Sequence, residues 1–146
     1  MNESRSVKKA WDLVEEAMKQ IQNLSAEDLQ AELDDSGNAV TVVDIRDNRE
    51  LFLKGKIPGA ISAPRGMLEF WVDPASEYHR EAFEPSKRYV LYCAMGGRSA
   101  LAAKTMQDMG YTDVAHLEPG FDGWEAAGFD IEDTKESSKW IPRPED

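Results

Sequence analysis

Two runs of apolar and β-branched residues, Ala39 to Ile45 and Arg88 to Cys93, are each followed closely by residues that can start a helix. Runs of this length without polar alternation suit strands covered on both faces. Strands that feed helices return in parallel, because a hairpin leaves no room for the helix. Shorter strand-like pieces stand around Ala60 to Ala63 and at Val114 to Leu117. The pattern predicts an α/β domain with an open, mainly parallel sheet flanked by helices on both faces. No internal repeat is visible.

The helices have their own signals. Val7, Trp11, Val14, Met18 and Ile21 form the stripe of an amphipathic helix, with Ser4 or Ser6 as its cap. Ser25 followed by acids starts a second helix that ends near Leu33, where Asp34-Asp35-Ser36-Gly37 is turn chemistry. Asp47 with Glu50 caps a short third. Met67 to Trp71 holds a helical turn and Arg98 to Met109 a longer helix stopped by Gly110. Phe121 to Ala127 closes at Gly128.

Charge and cysteine content narrow the chemistry. The chain has 146 residues, 28 acidic against 17 basic, and a net charge of −11. Nucleic acid and anionic membrane surfaces are poor partners for it, since both need a basic face. One cysteine rules out an internal disulfide and any Cys-rich zinc or iron–sulfur centre. His79 and His116 are the only imidazoles, and no metal site is expected. The first residues carry Glu3, Asp12, Glu15 and Glu16 and lack the apolar run of a secretory signal. No stretch approaches the roughly 20 apolar residues of a membrane span. A cytoplasmic location is expected, where the thiol stays reduced.

That thiol, Cys93, ends the second long strand. In open α/β sheets ligands bind beyond the carboxyl ends of strands. Ala94, Met95, Gly96 and Gly97 follow, then Arg98, Ser99 and the helix. A helix N-terminus offers unpaired N–H donors, and glycines let a loop turn its N–H groups inward around an anion. The helix dipole supplies roughly 0.3–1 kcal/mol. A free thiol titrates at about 8.5, so loop N–H bonds, helped by Arg98, must do the rest. The competing reading is a buried structural cysteine. The loop is one residue shorter between cysteine and arginine than a tyrosine-phosphatase loop. Its smaller cavity suits a single sulfur atom on the thiol. No glycine-rich nucleotide motif occurs.

At these residues the chain resembles the rhodanese family. Cys93-Ala94-Met95-Gly96-Gly97-Arg98-Ser99 is similar to its CxxGxRS loop, and Gly55-Lys56-Ile57-Pro58-Gly59-Ala60 to its GHIPGA box. Val42 to Asp47 with Glu50 and Gly120-Phe121-Asp122-Gly123-Trp124 with Ala127-Gly128 extend the similarity, over about residues 24 to 131. It implies a single-domain sulfurtransferase without a cofactor. Cys93 would take a sulfane sulfur from thiosulfate or an organic or protein persulfide. It would pass that sulfur to a thiol, to cyanide, or to a protein sulfur carrier. The N–H groups from Ala94 to Ser99 would hold the persulfide. Arg98 would close the loop on a carboxylate, with Asp44 the candidate. Arg46 would face an anionic donor or pair with Glu50.

Three features depart from the family pattern. Lys56 stands for the usual histidine and Pro119 for the first glycine of GG, and the loop interior is uncharged, which favours organic donors over thiosulfate. Alternative readings are a catalytically silent binding or redox-sensing module, a phosphatase or arsenate reductase, and a Cys–His dyad. The expected organisation is a helical extension at 1–23, the rhodanese-like domain at 24–131, and a polar mobile tail at 132–146 with Trp140 docking back. Met67 to Trp71 either rims the site or packs in the core. Oligomeric state is left open.

Overall fold

A computed structural model describes residues 6–35 and 39–136. Five strands form one parallel sheet: β1 (Gln22–Leu24), β2 (Val40–Asp44), β3 (Ile61–Ser62), β4 (Arg88–Tyr92) and β5 (Asp113–Leu117). Their spatial order is β1-β5-β4-β2-β3. Six helices accompany them: α1 (Ala10–Met18), α2 (Ala26–Asp34), α3 (Asn48–Lys54), α4 (Leu68–Val72), α5 (Gly97–Asp108) and α6 (Gly120–Ala126). The expected open parallel α/β architecture is therefore the observed one. No helix among the described residues is long and apolar enough to cross a membrane.

Side-chain alternation assigns each layer. Along β4, Tyr89 and Leu91, with Cys93 just beyond, join the core that contains Val14 and Ala17 of α1 and Ala100, Ala103 and Met106 of α5. Val90 and Tyr92 face the opposite core with Leu29 of α2 and Phe121 and Trp124 of α6. This follows from the two-residue period of a strand. It decides which groups can meet at the site.

Two helices start as expected, each on a reciprocal capping box. Ser25 Oγ accepts from the Asp28 N–H at 3.0 Å, and Asp28 accepts from the Ser25 N–H. Asp47 and Glu50 repeat the arrangement at α3. The first helix differs from expectation. Its N-cap is Lys9, not Ser6, and no side chain caps it. Ser4 lies outside the described residues, as do Ser36, Gly37 and Trp140. Val14, Ala17 and Ile21 are buried, Met18 packs partly against them, and Val7 precedes the helix and is exposed.

Two structural features run across the expected domain bounds. β1 carries no apolar run and was not expected, yet Gln22, Asn23 and Leu24 pair with Ala115, His116 and Leu117. The boundary at 23/24 therefore cuts through a strand. At the other end the chain stays on the body past residue 131. Glu132 bridges to Lys56, and buried Thr134 donates its hydroxyl to the Leu51 carbonyl at 2.6 Å. A tail beginning at 132 would leave those groups unpaired.

Candidate functional site

The loop Cys93 to Ser99 joins β4 to α5 at the carboxyl edge of the sheet, between β5 and β2. Cys93 is buried, 1% exposed, and its Sγ lies under the first turn of α5. The Gly96 N–H points at Sγ from 3.2 Å and the Ser99 N–H from 3.4 Å. Ser99 Oγ stands 3.5 Å from Sγ. These are donors that a helix start leaves without intrahelical partners, so the sulfur occupies the place of an anion at a helix N-terminus.

The curl depends on glycine. Gly96 has φ 95°, and a Cβ there would stand 2.1 Å from the Glu118 carbonyl oxygen. Gly120, at φ 69°, brings a second backbone equally close. Its Cβ would meet the Ala94 carbonyl oxygen at 2.3 Å, while the Phe121 and Asp122 N–H groups bind the Cys93 and Ala94 carbonyls at 2.8 and 3.0 Å. The start of α6 thus clamps the loop from outside. On the other flank, the Trp11 ring of α1 lies against Gly97. Met95, at the loop tip, is 66% exposed.

Arg98 pairs with Glu50 rather than with Asp44, the carboxylate expected for it. Its Nη1 and Nη2 donate to Glu50 Oε1 and Oε2 at 2.7 and 2.9 Å, the two-pronged geometry that suits a guanidinium. Those hydrogen bonds hold the Glu50 carboxyl below its ordinary pKa. Asp44 is not the partner. It extends toward the face occupied by Tyr92 and Val42, whereas Cys93 and α5 occupy the other. The two-residue period of β2 turns Asp44 to the side of the sheet opposite the thiol.

Asp44 instead holds Arg46. Arg46 Nε and Nη2 donate to Asp44 Oδ1 and Oδ2 at 3.0 and 2.7 Å, and Nη2 also donates to the Gly55 carbonyl at 2.7 Å. The Tyr92 hydroxyl donates to Asp44 Oδ2 at 2.5 Å and accepts from the Ile57 N–H. The guanidinium lies over the Phe121 ring at 4.3 Å and is 1% exposed. Arg46 therefore neither faces a donor nor bridges to Glu50. This buried cluster ties β2, β4 and the Gly55–Ala60 segment together beneath the site. Lys56 serves the same segment by donating to the Ala60 carbonyl at 2.8 Å.

The histidines divide. His79 is bound to the Phe83 carbonyl through Nε2. His116 is fully buried on β5, next to β4, and its Nδ1 is 2.9 Å from Ser99 Oγ. It makes no direct dyad with Cys93, yet it is one hydroxyl away. Burial pushes its pKa down to about 4. Asn23 of β1 completes the chain, with Oδ1 2.8 Å from His116 Nε2. Nothing in the sequence marks Asn23, because the unexpected strand carries it. Of the Met67 to Trp71 stretch, Leu68 belongs to the core beside Cys93, Phe70 is exposed, and Trp71 lies under Arg80.

Comparison with known proteins agrees with this geometry. The rhodanese-like domain family matches residues 25–127. A Bacillus subtilis protein named as a sulfur carrier is 31% identical over 90 residues, covering 62% of this chain. The chain spans 44% of that protein's length and 65% of another curated relative. A solved structure from Rhodopseudomonas palustris, described as a protein of unknown function and possible tyrosine phosphatase, is 48% identical. It covers 87% of this chain and 96% of its own, with a TM-score of 0.83. The polysulfide-sulfur transferase of Wolinella succinogenes superposes with a TM-score of 0.66 at 28% identity, over 82% of this chain and 84% of its own. With the family matched over most of its length and the loop in place at the sheet edge, the chain belongs to the rhodanese-like domain family.

Proposed function

We propose that this chain is a sulfurtransferase that works through a persulfide on Cys93. The observation that carries this reading is the Cys93 sulfur under the Gly96 and Ser99 N–H groups, in a loop one residue shorter between cysteine and arginine than a tyrosine-phosphatase loop. In the first step the Cys93 thiolate attacks the outer sulfur of a donor. The new bond is Sγ–S, the donor's own S–S bond breaks, and its electron pair leaves with the leaving group, a thiolate or sulfite. The loop N–H groups stabilise the anion without reorganising. In the second step a thiol or cyanide attacks the outer sulfur and restores the Cys93 thiolate.

In this reading the roles divide as follows. Cys93 is the nucleophile, Ala94 to Ser99 form the cradle, and Arg98 fixes the cradle through Glu50. Asp44 and Arg46 support the strand ends. The Arg98 charge is already committed to Glu50 and the loop tip carries Met95, so an organic or protein persulfide suits the mouth better than a small dianion. A cytoplasmic location fits the need for a reduced thiol.

Intact-mass spectrometry tests this. Incubation with thiosulfate, glutathione persulfide and polysulfide should add the mass of one sulfur. An acceptor thiol should remove it, and Cys93→Ser should abolish the gain. A wild-type protein that takes up sulfur from none of them overturns the proposal and favours a silent binding or redox-sensing module. The description of the Rhodopseudomonas palustris neighbour motivates a phosphatase reading. Hydrolysis of an aryl phosphate lost in Cys93→Ser would support that reading instead.

A further inference from the structure

Behind Cys93 runs a line of hydrogen bonds that sulfur transfer by the loop alone does not need. Its order is Cys93 Sγ, Ser99 Oγ, His116 Nδ1, His116 Nε2 and Asn23 Oδ1, with separations of 3.5, 2.9 and 2.8 Å between residues. Ser99 and His116 are fully buried, and Asn23 alone reaches solvent, in an open groove that it lines with Glu27, Asp28 and Glu118.

The direction of every hydrogen follows from the far end. Asn23 Nδ2 donates to the Met18 and Ile21 carbonyls at 2.9 and 3.2 Å, so its oxygen must face the histidine. His116 therefore carries its hydrogen on Nε2 and presents a bare Nδ1 to Ser99. Ser99 has one hydroxyl hydrogen. The Nδ1 at 2.9 Å takes it in preference to the Gly96 carbonyl at 3.3 Å, which already accepts from the Ala100 N–H. What Ser99 then offers to Cys93 is a lone pair. The thiol hydrogen points at the serine, and the serine hydrogen points at the histidine.

We propose that Asn23, His116 and Ser99 form a proton relay in which Ser99 takes the Cys93 thiol proton while giving its own to His116 Nδ1. The S–H and Ser99 O–H bonds break, and new O–H and N–H bonds form. Ser99 is unchanged, Cys93 becomes a thiolate, and His116 becomes an imidazolium. No co-reactant is needed, and the proton returns when Cys93 is reprotonated after the cycle. Ser99, His116 and Asn23 are thus positioning residues for the reactive sulfur. The inference rests on Cys93 being the reacting group, and extends that reading to how its proton leaves.

A buried imidazole is a weak base while Cys93 is a thiol, since burial disfavours its charge and no anion sits beside it. Transfer along the relay creates the thiolate and the imidazolium together, one hydroxyl apart. Each then offsets the other's desolvation. With His116 doubly protonated, Nδ1–H donates to Ser99, and the Ser99 hydroxyl is free to turn onto the sulfur beside the Gly96 and Ser99 N–H groups. The charged groups around this line are Arg98 on α5, which acts on Cys93, its partner Glu50 on α3, and the Asp28, Glu27 and Glu118 carboxylates in the groove beside Asn23.

Iodoacetamide alkylation of the intact chain reads the thiolate directly, independent of any sulfur donor. We expect Ser99→Ala and His116→Gln each to slow alkylation at pH 7 by about tenfold and to move the rate profile to higher pH. The double variant should be no slower than either, and Ser99→Thr should restore the wild-type profile. Asn23→Asp, which places a carboxylate beside His116 Nε2, should move the profile to lower pH. Imidazole ¹⁵N shifts should report the Nε2–H form in the resting protein. Unchanged alkylation profiles in folded Ser99→Ala and His116→Gln, or an Nδ1–H imidazole, would overturn the relay. A wild-type protein that takes up no sulfur while these profiles shift as expected would sink the sulfurtransferase reading and leave the relay standing.

Discussion

Replacing Asp44 by Asn tests the claim that this carboxylate is architectural. The change preserves volume and removes one charge. In the native protein the Asp44 oxygens accept from the Arg46 side chain, the Arg46 N–H and the Tyr92 hydroxyl, with both charged groups at 1% exposure or less. An amide turned with its oxygen toward Arg46 Nε presents its own N–H₂ to Arg46 Nη2 and Tyr92, donors against donors. The guanidinium stays buried without a counter-charge, because its Gly55 carbonyl and aromatic contacts do not neutralise it. Breaking one side of a buried ion pair costs about 3–5 kcal/mol. With a urea slope of roughly 2 kcal/mol per molar, the unfolding midpoint should fall by about 1.5–2.5 M. The double variant Asp44→Leu with Arg46→Met removes both charges and should recover most of that loss. Since the cluster lies across the sheet from the thiol, Asp44→Asn kept well below its midpoint should alkylate Cys93 within about twofold of wild type. A single variant within about 1 kcal/mol of wild type, or a double variant no better than the single, would refute the argument.

Three further outcomes follow from the geometry. His116 is held neutral with its pKa pushed down to about 4 against 6.5 when unfolded. The unfolded chain therefore binds more protons across that window, and stability is full above pH 6.5 and falls as pH drops toward 4, by roughly 3 kcal/mol at ~1.4 per unit. Urea titrations should show wild type losing that much more than His116→Gln. Gly96→Ala forces a Cβ to 2.1 Å from the Glu118 carbonyl at φ 95°, which strains the backbone by about 1–3 kcal/mol before the clash is counted. Both the urea midpoint and the Cys93 alkylation rate should drop, and a loop that accepts Ala at native stability would contradict the packing described. Thr134→Val removes the hydroxyl bond to Leu51 and should cost about 1 kcal/mol by the same unfolding measurement. No change would mean that the chain beyond residue 131 is not part of the folded body.

Much of this protein was legible in its sequence because the relevant physics is local. Runs such as Ala39 to Ile45 must be covered on both faces, and Ser25 and Asp47 each stand three residues before a carboxylate that completes a cap. A thiol, two glycines, an arginine and a helix start stand in one seven-residue stretch, so the sulfur's cradle could be read without knowing any neighbour. The same locality explains what failed. Arg98 and its partner are 48 positions apart, and Asp44 or Glu50 could have served equally by charge. Only the pleat of β2, which turns Asp44 to the face opposite α5, sends Arg98 to Glu50 and Asp44 to Arg46. Asn23 is invisible for a related reason. β1 has no apolar signature and exists because β5 offers it an edge, and that pairing alone brings an asparagine 93 positions away onto His116. The sequence determined that there is one thiol and what kind of turn holds it. The tertiary structure decided which carboxylate braces that turn and where the sulfur's proton can go, since both depend on strand register, which no local pattern encodes.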